Sequence, residues 1–334
     1  SLGYIDSTSR HSAGVEAVDP GRSIRKKGIR GYVAGLPFPD PQTGAEVAWN
    51  HHYAHLGDDG ETTFGVYFVD AKRGVVRTEE WTWQYLSRAM HRTDLEPVPS
   101  LPWFEARGIQ YASLAWAVEP YDKWGATSLY YRNETPDDQQ GWLYVPTLRR
   151  ALRMTFGAPG VPWNGTDFLW EDIRGYSGFP EWMDWTLVGR ATILAPMHAG
   201  IPTGRTEARG AIDFDDAPHW NPRMDWEPRP VYVVEARPKF RTCPYGRVVM
   251  YVDAETFYVP VKVAYDRKGR LWRVFVNAWN ESPDAEAVPP PLAVSLGVDV
   301  REGSATVLPS YEVRANVGLD PFRFLPTVLQ KIGR

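Results

Sequence analysis

The sequence predicts a mainly β chain with few helices (α+β), built on one large, half-open antiparallel sheet that curves around short helices. Three observations carry this prediction. Apolar and polar residues alternate at period two along most of the chain, the pattern of half-buried strands. Segments with recognisable helix starts and stops are few. No repeat of blade-like period recurs, which counts against a propeller.

Taken in order, residues 1–30 are polar, finish in a basic run (Arg22, Arg25, Lys26, Lys27, Arg30) and lack periodicity. They are expected to form an extended N-terminal arm, leaving residues 31–334 as a single curved-sheet, ligand-binding-like domain. Phe64–Val69, a turn at Lys72-Arg73-Gly74 and Val75–Leu86 read as a hairpin. Ile109–Val118, Ser128–Arg132, Trp142–Pro146 and Leu148–Thr155 repeat the alternation, as do Thr186–Ala195, Val231–Ala236 and Arg247–Val252. The clearest pair is Tyr258–Asp266 and Arg270–Trp279 around the turn Arg267-Lys268-Gly269. In the second strand Trp272, Val274, Val276 and Ala278 share one face, while Arg273, Phe275, Asn277 and Trp279 take the other. Helices are expected only at Asp167–Ile173, where Asn164-Gly165-Thr166 offers a cap, and at Pro321–Lys331. An open sheet curling around one or two helices leaves a concave apolar face, a natural ligand cavity.

Composition narrows the function classes. A chain of 334 residues buries a sizeable core without cross-links, and the single Cys243 excludes an internal disulfide or a cysteine-based zinc site. A net charge of −4 supplies no basic field for nucleic acid. The longest apolar runs are too short to cross a membrane as a helix. Aromatic residues are in excess, with 15 Trp, 17 Tyr and 13 Phe. GC-rich codons account for part of the tryptophan, since arginine (29, against 8 lysines), glycine and proline are also abundant. They do not account for tyrosine and phenylalanine.

Motifs for chemistry are sparse, and no catalytic residue, metal or cofactor is expected. Phosphate loops and dinucleotide fingerprints are missing. His51, His52 and His55, followed by Asp58 and Asp59, form the only local cluster of metal-ligand types. The cluster runs into the turn Gly57–Gly60, so a solvated strand end is the plainer reading. Ser177 and His198 are the components from which a hydrolytic triad would have to be drawn, without the required elbow spacing. Arg149, Arg150 and Arg153 make a dense basic run. On a strand, Arg149 and Arg153 share a face and Arg150 takes the other. The run serves either ion pairs with acids such as Glu171, Asp172 or Asp184, or docking of a partner or lipid headgroup.

Several segments together carry a family resemblance. They are Tyr32–Pro39 leading into Gly44–Asn50; Gly141–Arg153, followed by Gly165–Asp172 and Met183–Gly189; and Val231–Ala236, Met250–Asp253 and Tyr265–Arg273. In order and spacing the set resembles domain-of-unknown-function family 1329. The resemblance implies an exported protein of Gram-negative bacteria with a fold like the periplasmic lipoprotein carriers. It brings no established catalytic residues.

The function expected is therefore a periplasmic or outer-membrane-associated binding or carrier protein for a lipid or other hydrophobic ligand. Trp116, Tyr130, Trp142, Tyr144, Phe168, Trp170, Trp185 and Trp272 are expected to line the ligand's path, and an envelope transport protein is a candidate partner. The alternatives are a glycan-binding or envelope-structural module, in which tryptophans stack on sugars, and an envelope hydrolase using Ser177 or the histidine cluster.

Overall fold

The computed structural model describes residues 1–136, 139–154 and 160–332. Two short ribbons flank the main sheet: β1 (Glu16–Ala17) with β2 (Ile29–Arg30), and β10 (Ile212–Asp213) with β11 (Asn221–Pro222). The first half of the main sheet is a meander of β3 (Gly60–Asp70), β4 (Gly74–Leu86), β5 (Ile109–Glu119), β6 (Thr127–Asn133), β7 (Gln139–Val145) and β8 (Arg150–Met154). The second half comprises β9 (Met183–Ala195), β12 (Glu227–Pro238), β13 (Tyr245–Asp253), β14 (Val261–Asp266), β15 (Leu271–Trp279), β16 (Leu292–Asp299) and β17 (Ser304–Ala315). Pairing of β17 with β3 joins the halves into one open antiparallel sheet of thirteen strands, with β8 at one edge and β9 at the other. The expected alternation holds along β15, where Arg273, Phe275, Asn277 and Trp279 are buried and Trp272, Val274 and Val276 less so.

The sheet curls strongly, and helix α2 (Gly44–His52) measures by how much. Gly44 lies against the backbone of Thr186 and Leu187 in β9, while the carbonyl of Tyr53, at the other end of the helix, accepts from Arg88 just beyond β4. Strands β9 and β4 stand eight inter-strand spacings apart, about 38 Å if the sheet were flat. Nine helical residues cover only about 14 Å. The sheet therefore wraps around the helix, and the mainly β, half-open, curved architecture is as expected.

The concave side is filled by α2 and by the segment from Gly160 to Trp182. Phe168, Leu169 and Tyr176 of that segment join Val47 of α2 against Phe64 and Val66 of β3, Val234 of β12, Met250 of β13 and Phe275 of β15. Residues of opposite parity on β3, Tyr67 and Val69, pack on the outer face beneath Ile212, Phe214 and Ala208 of helix α4 (Arg205–Arg209). A further cluster buries Leu114, Leu129 and Tyr144 under helix α3 (Pro102–Glu105) and the C-terminal residues Phe324 and Leu329.

Four local expectations change. Leu2–His11, expected in the extended arm, form helix α1, capped by the Ser1 hydroxyl accepting the Tyr4 N–H at 3.2 Å. That helix buries no residue, so no apolar stripe announces it. The helix expected over Asp167–Ile173 contracts to a 3-10 turn at Trp170–Asp172. Its acids are used elsewhere: Asp167 accepts from the hydroxyls of Ser304 and Thr306 at 2.8 and 2.9 Å, and Asp172 turns inward to Lys262. The terminal helix is broken into 3-10 turns at Pro321–Phe324 and Pro326–Val328 before α5 (Leu329–Ile332), because Pro326 has no N–H to continue a helical ladder. Strand β8 begins at Arg150, since Pro146–Leu148 is a 3-10 turn and Arg149 is left-handed at φ 49°. Thr155, at the end of that expected strand, lies outside the described residues.

Candidate functional site

Helix α2 carries the chain into the hollow of the sheet. Its start is fixed by a capping box: the Thr43 hydroxyl accepts the Glu46 N–H, and the Glu46 carboxylate accepts the Thr43 N–H. Its last turn brings His51, His52 and Tyr53 to the centre. Each ring nitrogen of His51 lies 2.8 Å from a carbonyl oxygen, of Phe257 and of Tyr176, and the neutral ring donates its one N–H to one of the two. Burial lowers its pKa to about 4. Three residues beyond the helix end, His55 stacks on Tyr4 with ring centroids 4.8 Å apart.

Asp58 and Asp59 are not solvated turn residues. The buried carboxylate of Asp58 accepts the backbone N–H groups of Thr93, Asp94 and Leu95, at 2.7–3.1 Å. That of Asp59 accepts those of Val317, Gly318 and Leu319, at 2.6–3.2 Å. Each acid anchors a loop, and among the described residues no group of three His, Cys, Asp or Glu side chains is placed to hold a metal ion. Ser177 donates to the Trp170 carbonyl at 2.7 Å, and His198 pairs with Glu227 at 2.8 Å, so no hydrogen bond joins the two.

A cavity of about 40 Å³ lies between the end of α2, the loop after β4, and strands β5 and β6. A second space of about 20 Å³ shares His52, Arg132 and Arg174 with it and extends to Ser177, Tyr258 and Trp279. Three arginines line the larger one: Arg88, Arg132 and Arg174. Arg88 is buried and donates to the carbonyls of Tyr53 and Ala54 and to the Tyr32 hydroxyl. Arg132 donates to the Ser177 carbonyl and lies over the rings of Tyr111 and Phe179, 5.5 and 5.4 Å from their centroids. Arg174 sits on a left-handed backbone at φ 57°. Burial pulls its pKa below the usual guanidinium value, with the neighbouring charge of Arg132 acting in the same direction.

The eight aromatic residues singled out in the sequence fall in several places, and none is among the residues around these cavities. Tyr144, Trp116 and Trp142 belong to the cluster under the C-terminal residues. Phe168 lies in the main cluster, 5.1 Å from the Phe275 ring, and Trp170 meets Trp163 edge-on. Trp185 donates to the Pro180 carbonyl at 2.6 Å and Trp272 to the Asp299 carboxylate at 2.7 Å. Tyr130 comes nearest, 6.2 Å from Tyr111, which lines the larger cavity. Of the 15 tryptophans only Trp124 and Trp226 are exposed; Trp49, Trp182 and Trp279 are buried and the rest are half-buried.

Arg149, Arg150 and Arg153 are exposed at edge strand β8, and among the described residues none has an ion pair. The acids expected to neutralise them are engaged elsewhere. Glu171 accepts the Gly160 N–H, Asp172 pairs with Lys262, and Asp184 pairs with Lys239. Because the strand begins at Arg150, Arg149 and Arg153 do not share a strand face as the spacing had suggested.

The family model described as "Protein of unknown function (DUF1329)" matches residues 3–319, nearly the whole length. The chain belongs to the DUF1329 family. The uncharacterized protein PA3922 of Pseudomonas aeruginosa is 24% identical over 260 residues, 74% of this chain and 53% of that protein. The DUF1329 chain thus spans about half the length of the curated relative it matches. Among solved structures, it is similar to a candidate outer-membrane lipoprotein-sorting protein domain from Vibrio parahaemolyticus. Identity there is 19% and the TM-score 0.59, covering 86% of this chain and 98% of the other. A DUF1329 protein from Desulfovibrio piger is 18% identical with a TM-score of 0.58, covering 86% and 97%. The LolA superfamily protein NE2245 from Nitrosomonas europaea is 13% identical with a TM-score of 0.50, covering 86% and 99%. These likenesses establish the fold.

Of the cavity residues the sequence pointed to His52, in its histidine cluster, but not to the three arginines or Tyr111. The local signals for this region were the Thr43-x-x-Glu46 capping box ahead of α2 and Arg132 at a partly buried position of β6.

Proposed function

We propose that the protein is a periplasmic carrier for a lipid or other hydrophobic ligand. The observation that carries this reading is the manner in which the hollow is closed. The concave side of an open sheet is covered by a single short helix and an irregular segment, not by further strands. Such a cover moves aside without breaking the sheet's hydrogen-bond ladders. The present cavities hold a few water molecules, not an acyl chain, so ligand entry requires that displacement. Each 100 Å² of apolar ligand surface removed from water contributes about 2.5 kcal/mol toward it. The location is proposed from the company of lipoprotein-sorting and LolA-superfamily folds, in keeping with the lack, among the described residues, of any helix long and apolar enough to cross a membrane.

The eight aromatic residues named above remain proposed as surfaces that the ligand reaches once the cover has moved. Arg149, Arg150 and Arg153 at the edge strand are proposed as the docking patch for an envelope partner, and their exposure supports that use. The test is native mass spectrometry and organic extraction of the purified protein, with titration of the neutral probe N-phenyl-1-naphthylamine. A copurified apolar molecule or saturable probe binding is expected. An empty protein that leaves the probe unbound refutes the carrier reading.

A further inference from the structure

Arg88, Arg132 and Arg174 come from three separate parts of the chain and meet at one cavity; the charge of Asp58 lies near Arg88, whereas Arg174 faces the like charge of Arg132. Among the described residues no ion pair joins any of them to a carboxylate. The nearby acids are already committed. Asp58 is held by three backbone N–H groups, Glu134 is paired with Lys27, and Glu181 accepts the Gly28 N–H at 2.8 Å. Hydrogen bonding around the cavity is incomplete as well: among the described residues the buried Nε groups of Arg88 and Arg132 have no partner. Three guanidinium groups in a low-dielectric space repel one another, and each loses hydration worth several kcal/mol. Guanidinium does not escape by losing its proton. An anion bound among them offsets both costs.

We propose that this cavity binds the carboxylate of the ligand, with Arg132 and Arg174 as its principal partners and Arg88 closing the site from the β4 side. The inference rests on the carrier reading for the apolar body of the ligand but not for its head. The small, arginine-lined cavity suits a compact anionic head group. The planar fork of a guanidinium matches the two carboxylate oxygens. The second space, bounded by Tyr258 and Trp279, gives the attached chain its first apolar contacts. The ligand class is therefore an acid with an apolar tail, and not a neutral lipid.

Calorimetric titration with octanoate, octanol, acetate and inorganic phosphate tests this on the full chain, beside Arg132→Gln and Arg174→Asn. Asparagine tolerates the left-handed backbone at residue 174. Arg22→Gln serves as an exposed control, and circular dichroism reports that each variant is folded. Octanoate is expected to bind at least tenfold more tightly than octanol, and to lose at least tenfold in each cavity variant but not in the control. N-phenyl-1-naphthylamine is expected to bind all of them alike. Acetate binding as tight as octanoate supports the carboxylate site and makes a free small acid its source. Octanol equalling octanoate, phosphate outcompeting both, or cavity variants that bind like the control overturn the carboxylate site. The neutral probe still binds in those cases if the carrier reading stands, so the two failures are distinguishable.

Discussion

The cover over the hollow is pinned at one buried ion pair, and its removal has a calculable cost. The Lys262 ammonium on β14 reaches across to the carboxylate of Asp172 and to the Gly175 carbonyl, 2.6 Å away. Both charged side chains are 1% exposed. Asp172 also accepts the Tyr245 hydroxyl and the Leu169 N–H, at 2.7 and 2.8 Å. Asp172→Ala leaves an ammonium without its counter-charge in the core and orphans two further donors. Breaking a buried pair in this way costs about 3–5 kcal/mol. Replacing both partners by apolar residues of similar size, as in Asp172→Leu with Lys262→Met, leaves no buried charge but still orphans those two donors, so its stability is expected to exceed that of the single variant by about 1–2 kcal/mol without reaching the parent. Urea denaturation followed by tryptophan fluorescence measures all three proteins. The same loosening should speed uptake of N-phenyl-1-naphthylamine by Asp172→Ala, since the pinned segment is the proposed lid. A loss below about 1 kcal/mol in the single variant, or a double variant as unstable as the single, would refute the assignment of this pair as the pin.

Three other outcomes are expected. A Cβ on Gly44 would stand 2.7 Å from backbone atoms of Thr186 and Leu187, so Gly44→Ala should push α2 off β9 and cost about 1–3 kcal/mol by thermal melting. Asp59→Ala frees three backbone N–H groups at Val317–Leu319; hydrogen exchange should rise from there to the C-terminus, with an overall loss of about 2 kcal/mol. Burial raises the pKa of Glu181 to about 7 in the folded protein, against 4.5 for the free side chain, so the folded state binds the extra proton between those values. Its contribution is full below pH 4.5 and is lost as pH rises through 7; melting the parent and Glu181→Gln from pH 4 to 8 should show the parent losing stability relative to the variant across that window, by on the order of 3 kcal/mol.

Much of the sheet was legible because a half-buried strand writes its burial into alternate residues. The β14–β15 hairpin and both faces of β15 follow directly from that rule. The helices were poorly legible for specific reasons. Helix α1 buries nothing, and the Asp167–Ile173 segment spends its acids on distant hydroxyls and Lys262 instead of on a helix start. Helix α2 carried a complete capping box at Thr43 and Glu46, a local signal that was available and not used. The histidine cluster was misplaced for the same reason. Helix α2 ends at His52, so His51 and His55 share neither a helical face nor a strand face.

By itself the sequence determined the mainly β class, most of the strands, the DUF1329 membership and the abundance of aromatic side chains available for burial. Alternation assigns a residue to one face of its own strand, and local spacing requires nothing more. What stands opposite that residue across a curled sheet depends on the pairing of β17 with β3, far apart in the chain, and on contacts from α2 to the loop after β4 across the hollow. Only the tertiary structure therefore decided that the tryptophans pack into several clusters, and that the space left at the centre is small, polar and ringed by Arg88, Arg132 and Arg174. Charge in a core is set by who meets whom, and those meetings exist only once the sheet has closed around its helix.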